Sequence, residues 1–182
     1  MKQVVLLLAA LAAAPAFAQN VYVTGSVGQA SQRISFDGES ANENKVGASV
    51  AVGYRFTPTF SIEGGYATFG KVSDSDSSSQ ASIKSDAIYA AVVGTFPVSP
   101  KVSLIGKLGV ARGKSEMYVA SGTFSANIDQ NKTGAMFGFG AAYAVTPSLA
   151  VVTEFQHFGK TLDLDGVAVK ASLVSVGARF SF

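Results

Sequence analysis

The sequence predicts an all-β fold: an eight-stranded antiparallel up-and-down transmembrane β-barrel with short periplasmic turns and long extracellular loops. Three observations predict it. Apolar residues alternate with small or polar ones over stretches of about ten residues; tight proline turns alternate with long polar connections; and the chain is 48% hydrophobic but only 14% charged. A soluble domain carries about 25% charged residues.

The chain opens MKQVVLLLAALAAAPAFAQN, with one basic residue, an apolar run from Val4 to Ala14, Pro15, and the small-x-small triplet Ala16-Phe17-Ala18. These are the parts of a secretory signal, and the run is too short to span a bilayer as a helix. Residues 1–18 are therefore expected to be removed, leaving 19–182 as one barrel domain.

The period of the apolar residues then assigns the strands. In KVGASVAVGYRF, Val46, Ala48, Val50, Val52, Tyr54 and Phe56 share one side, and Gly47, Ser49, Ala51, Gly53 and Arg55 the other. Strict alternation of this length is a strand signal. Eight segments follow it: about 21–34, 45–57, 59–70, 86–97, 101–113, 133–146, 148–158 and 168–182. Soluble strands cluster near five or six residues, whereas a tilted strand needs about 9 to 11 to cross a bilayer.

The connections fall into two classes. Thr57-Pro58-Thr59, the stretch from Pro97 to Pro100 and Thr146-Pro147-Ser148 are tight turns, with proline where it presets the backbone. The stretches 36–44, 71–85, 113–132 and 160–167 are long and polar. Short turns on one side and long loops on the other describe an outer-membrane barrel, turns in the periplasm. Closure follows because an open sheet edge in hydrocarbon leaves backbone groups unsatisfied. At the C-terminus Val176, Ala178, Phe180 and Phe182 occupy alternate positions, the pattern expected of a C-terminal assembly signal read by the barrel-assembly machinery.

Charge and cysteine exclude whole classes. Without Lys2, one of the 14 basic residues, 13 face 12 acidic ones, and no polybasic run concentrates them. A nucleic-acid partner needs a basic face and is not expected. With no cysteine, thiol redox chemistry and cysteine-based metal sites are absent, and stability in an exported chain has to come from elsewhere.

The stretches GASVAVGYRFTPTFSIEGGYATFG, VSLIGKLGVARG and GFGAAYAVTPSLAVVTEFQ, with the terminal RFSF, resemble the transmembrane domain of the outer membrane protein A superfamily. The likeness covers nearly all of the mature chain and is strongest around the three proline turns. No periplasmic peptidoglycan-binding domain is expected, so the plan is similar to the small stand-alone OmpX and Ail-type members. The resemblance implies charged side chains plugging the lumen: Glu63, Lys107 and Glu154 fall on inward charged positions of the third, fifth and seventh strands. Alternation turns the same three inward, and Arg55 and Arg179 share that parity near the periplasmic end. Where the family carries an inward Lys, Glu and Arg, this chain has Val93, Ala142 and Val152.

Other candidates read as structural. Glu154 and His157 suggest an acid–base pair for acyl transfer, and some small outer-membrane barrels deacylate lipid A with a His-x-Ser pair. Here the sequence is His157-Phe158-Gly159, and residues 154 and 157 have opposite parity, which puts His157 in the outer aromatic girdle. Tyr54, Phe56, Phe60, Phe96, Tyr143, Phe180 and Phe182 are expected in a periplasmic girdle, and Tyr66, Phe137 and Phe158 in an outer one. Asp74-Ser75-Asp76 lacks the glycine and distal Glu of a calcium loop. Gly138-Phe139-Gly140 precedes no helix and is no nucleotide fingerprint. Catalytic, cofactor and metal residues are thus not expected.

The expected location is the bacterial outer membrane, among its lipids and lipopolysaccharide. The expected role is non-enzymatic, supporting envelope integrity and adhesion to a host or environmental ligand through the loops. The alternatives are a narrow pore, for which eight strands leave little room, and a lipid A-modifying enzyme.

Overall fold

The computed structural model describes residues 20–36, 39–76, 79–121, 124–164 and 167–182, with side chains placed in 20–31, 44–70, 85–114, 131–159 and 171–182. The signal segment 1–18 and the Asp74-Ser75-Asp76 side chains lie outside these. The strands are β1 (Val21–Phe36), β2 (Glu39–Arg55), β3 (Phe60–Asp76), β4 (Ser79–Pro97), β5 (Val102–Ser121), β6 (Phe124–Ala144), β7 (Leu149–Leu164) and β8 (Val167–Ser181). Each pairs antiparallel with its sequence neighbours, and β8 returns to β1, giving a closed barrel. Closure leaves no unpaired edge for the hydrocarbon to penalise.

The period-two pattern becomes a two-faced wall. Val50, Val52, Tyr54, Ile62, Leu108, Val110, Phe139 and Val176 point outward and are exposed, Leu108 at 71%. Tyr22, Ala51, Ala67, Val93, Ala111, Met136, Val152 and Leu173 point inward and are buried. In the β6–β7 hairpin, Phe137, Phe139, Tyr143, Leu149 and Val151 face out while Gly138, Glu154 and Gln156 face in, as alternation requires; Gly140, Ala141, Ala142 and Phe155 are partly covered.

The three periplasmic turns repeat one device. In TPTF, SPKV and TPSL the leading hydroxyl accepts a hydrogen bond from the backbone N–H three residues on: Phe60 N to Thr57 Oγ1 (2.9 Å), Val102 N to Ser99 Oγ (3.0 Å) and Leu149 N to Thr146 Oγ1 (3.0 Å). Proline occupies the next position, where no N–H is required.

Toward the extracellular side the strands outrun the periodicity. The β5–β6 ladder continues to Ser121 opposite Phe124, and β3–β4 to Asp76 opposite Ser79. Outside the hydrocarbon no alternation of hydropathy is required of a strand, although hydrogen bonding persists. Register shifts occur there after Thr68 in β3 and after His157 and Lys160 in β7. Gly70 (φ +83°) and Gly159 (φ +67°) sit at these bulges in the left-handed conformation that a side chain disfavours.

The register makes a paired test available. A Cβ at Gly109 would lie 2.1 Å from the Ala90 carbonyl oxygen and 2.6 Å from Ala91 Cα, both backbone, whereas one at Gly106 would meet nothing within 4 Å. Gly109→Val should lower the urea midpoint of the refolded barrel, by an overpacking cost of about 1–3 kcal/mol. Gly106→Val should leave it unchanged; equal effects would contradict the β4–β5 register.

Candidate functional site in the barrel lumen

Inward parity on β3, β5, β7 and β8 converges on one buried ionic cluster. Lys107 of β5 reaches Glu63 Oε1 of β3 at 2.6 Å and Glu154 Oε1 of β7 at 3.0 Å. Arg179 of β8 lies 3.5 Å from Glu154 Oε1 and 3.9 Å from Glu63 Oε2. All four side chains are at most 5% exposed. Two carboxylates face two cations, so the cluster is neutral, which is the condition for burying charge at tolerable cost.

Neutral donors complete it. Tyr89 donates to Glu63 Oε1 (2.9 Å), Tyr22 to Glu63 Oε2 (3.0 Å), and Gln156 Nε2 to Glu154 Oε2 (3.2 Å). Arg179 donates from Nε to Thr24 Oγ1 (3.1 Å) and lies 4.5 Å from the Tyr22 ring centroid. Arg55, grouped with these charges on parity, stands apart from the carboxylate contacts. It is half-buried at the periplasmic mouth, donates to Ser181 Oγ (2.8 Å) and lies 5.1 Å from the Tyr22 ring centroid.

Tyr22 and Tyr89 are the site residues that sequence reasoning missed. A usable signal was present in their partners. Gly53 faces Tyr22, where a Cβ would come within 2.1 Å of the ring, and Gly65 faces Tyr89, at 2.5 Å. An inward tyrosine needs an inward glycine beside it in so narrow a barrel.

Apolar layers bracket the cluster. On the periplasmic side Val93, Ile105 and Val152 pack together with Ala142. On the extracellular side Phe69 from β3 meets Phe158 from β7, centroids 5.0 Å apart, with Met136 and Leu173 alongside, all 1% exposed or less. Phe158 is thereby removed from the outer girdle. It shares parity with Glu154 and Gln156, and that parity overrides its position near the strand end.

His157 does face outward, 5.0 Å from the Phe137 ring. Its Nδ1 lies 2.9 Å from Ser172 Oγ, a partner across the β7–β8 ladder that no linear spacing could reveal. Glu154 cannot complete a triad with them, because it is on the lumen side of the same strand, bound to Lys107. Among the described residues no group of three or more His, Cys, Asp or Glu side chains could hold a metal ion.

The sequence matches the model of the outer membrane protein beta-barrel domain over residues 4–182. The chain belongs to this family. It therefore resides in the bacterial outer membrane, its wall in the lipid bilayer. It is 26% identical over 167 residues to the attachment invasion locus protein of Yersinia pseudotuberculosis, covering 88% of each chain. It is 25% identical over 145 residues to outer membrane protein A of Salmonella typhi, covering 78% of this chain but 41% of that one. The crystal structure of Ail, the attachment invasion locus protein of Yersinia pestis, in complex with the heparin analogue sucrose octasulfate superposes with a TM-score of 0.60 at 23% identity, covering 88% of this chain and 99% of that one. At that identity the likeness establishes the fold.

Removing one member of the cluster strands its partners. Lys107→Met leaves two buried carboxylates with Arg179 alone and should cost about 3–5 kcal/mol, read as a lower urea midpoint. Adding Glu63→Gln to Lys107→Met should restore part of the loss. An unchanged midpoint in the single variant would show that the cluster does not stabilise the barrel.

Proposed function

We propose that the protein is a non-enzymatic surface protein that supports envelope integrity and attaches the cell to a host or environmental surface through its extracellular hairpins. The observation that carries this reading is the buried ionic cluster with an apolar layer on either side. Glu63, Lys107, Glu154 and Arg179 act as a plug between two apolar layers, with Arg55 at its periplasmic mouth, so the barrel serves as a rigid mount. Recognition then falls to the connections, which are the natural binding elements on such a scaffold. The relationship to attachment invasion locus proteins supports the same assignment. Val176, Ala178, Phe180 and Phe182, outward along the last strand, serve as the assembly signal for insertion among outer-membrane lipids and lipopolysaccharide.

Two measurements test this. Replacing 71–85 and 113–132 by short Gly-Ser links should abolish binding of expressing cells to their target surface while the barrel still folds; retained binding would place adhesion elsewhere. The refolded wild-type barrel should give no conductance steps in a planar bilayer, and reproducible steps altered in size by Glu63→Gln would favour the narrow pore instead.

A further inference from the structure

Below the apolar layer of Val93, Ile105 and Val152 the inward parity continues for one more step, to the periplasmic mouth of the barrel. Thr95 stands two residues beyond Val93, Ser103 two before Ile105, Ala150 two before Val152 and Ser181 two beyond Arg179. With Arg55 on β2 and Ala144 on β6 they ring the mouth, and all six are partly buried. Successive residues of a strand face opposite ways, so these side chains share the lumen side with the buried ones next along. The mouth is thus a short cup with small walls, hydroxyls on β4, β5 and β8, an apolar roof, and one cation.

Charge is unbalanced there. Glu63 and Glu154 are matched by Lys107 and Arg179, whereas Arg55 forms no ion pair among the described residues. Its guanidinium donates from Nη2 to Ser181 Oγ (2.8 Å) and takes no other acceptor among those residues. It lies 5.1 Å from the Tyr22 ring centroid and Arg179 lies 4.5 Å from the same centroid, so two cations share one ring and only Arg179 has carboxylates beside it. The hydroxyls of Thr95 and Ser103 make no side-chain hydrogen bond among the described residues. In a barrel narrow enough for Lys107 to touch both β3 and β7, they stand across the mouth from Arg55.

We propose that the periplasmic mouth binds one carboxylate, gripped by the guanidinium fork of Arg55 and by the hydroxyls of Thr95 and Ser103. A planar fork matches the two oxygens of a carboxylate, and a charge-assisted pair of this kind is stronger than a neutral hydrogen bond. The surplus of a single positive charge selects a monoanion, because a phosphate dianion would leave the cup negative by as much as it is now positive. The apolar roof limits how far an anion enters and lowers the local dielectric, which strengthens its attraction to Arg55. Two sources present such a group from the periplasm: a free small acid, or the carboxyl end of a peptide chain. The cup lies at the opposite end of the barrel from the extracellular hairpins and does not depend on what they attach to.

The test is a titration of the isotope-labelled barrel in nonionic micelles with sodium acetate, followed by the amide signals of residue 55 and Ser181, against sodium chloride at equal ionic strength. Wild type should give a saturable shift with acetate that chloride does not reproduce. Arg55 belongs to no ion pair, so Arg55→Gln leaves the cluster above in place; it should weaken acetate binding about tenfold or more, with folding checked by heat-modifiable migration. Thr95→Val with Ser103→Ala should weaken binding while Arg55 is retained. A trialanine peptide with a free carboxyl end separates the sources: tighter binding than acetate assigns the cup to a chain end, and equal binding assigns it to a small acid. Absence of saturation, an equal response to chloride, or equal binding of the amidated peptide would overturn the proposal. So would a double hydroxyl variant that binds as wild type, which would leave Arg55 as an isolated surface cation.

Discussion

A buried cation at the barrel axis sets the terms for the rest of the lumen. Lys107 is held between Glu63 and Glu154 from β3 and β7, so the ionic contact joins walls that the hydrogen-bond ladder connects only around the circumference. Taken out of water, an ammonium survives only if its partners are close and otherwise satisfied. That requirement accounts for Tyr22 and Tyr89 on Glu63, Gln156 on Glu154, and Arg179 balancing the second carboxylate. It also accounts for glycine at 53 and 65, since the tyrosine rings occupy the space a Cβ would need.

The apolar layers strengthen that contact. Val93, Ile105 and Val152 below and Phe69 with Phe158 above keep water from the ions, and ionic attraction grows as the surrounding dielectric falls. Charge and grease in the lumen are thus one device. The outer wall follows a separate rule, set by depth in the membrane, and the two rules share a backbone because successive residues face opposite ways.

This separation explains what could be read in advance. Strand number, order, turn positions and the inward parity of Glu63, Lys107, Glu154 and Arg179 all follow from a period of two and from proline. Partners across the barrel do not: register between strands decides that Tyr89 reaches Glu63, or that His157 meets Ser172 fifteen positions away. Strand ends above the membrane were illegible for a different reason, since outside the hydrocarbon no alternation of hydropathy is required of a strand. Phe158 went astray because nearness to a strand end suggested a girdle, although its parity with Glu154 already pointed inward. Phe69-Gly70-Lys71 and Phe158-Gly159-Lys160 share one tripeptide, and that repetition was the available sign of a common role.

The repeated Phe-Gly pair carries the functional argument furthest. Each glycine sits at a left-handed bulge of its strand, and the preceding phenylalanine packs in the lumen against its counterpart from β7 or β3. An ionic cluster by itself does not make a barrel impermeable, because exchanging charge partners is one way to pass ions. Apolar rings in contact offer an ion no such partners and leave its hydration unmatched. On one side of the cluster the lumen is lined by Val93, Ala142, Val152 and Ile105, and on the other by Phe69 and Phe158. Neither layer presents a polar step to an ion, which supports a structural role for the inner face and, on the proposed reading, leaves recognition to the hairpins.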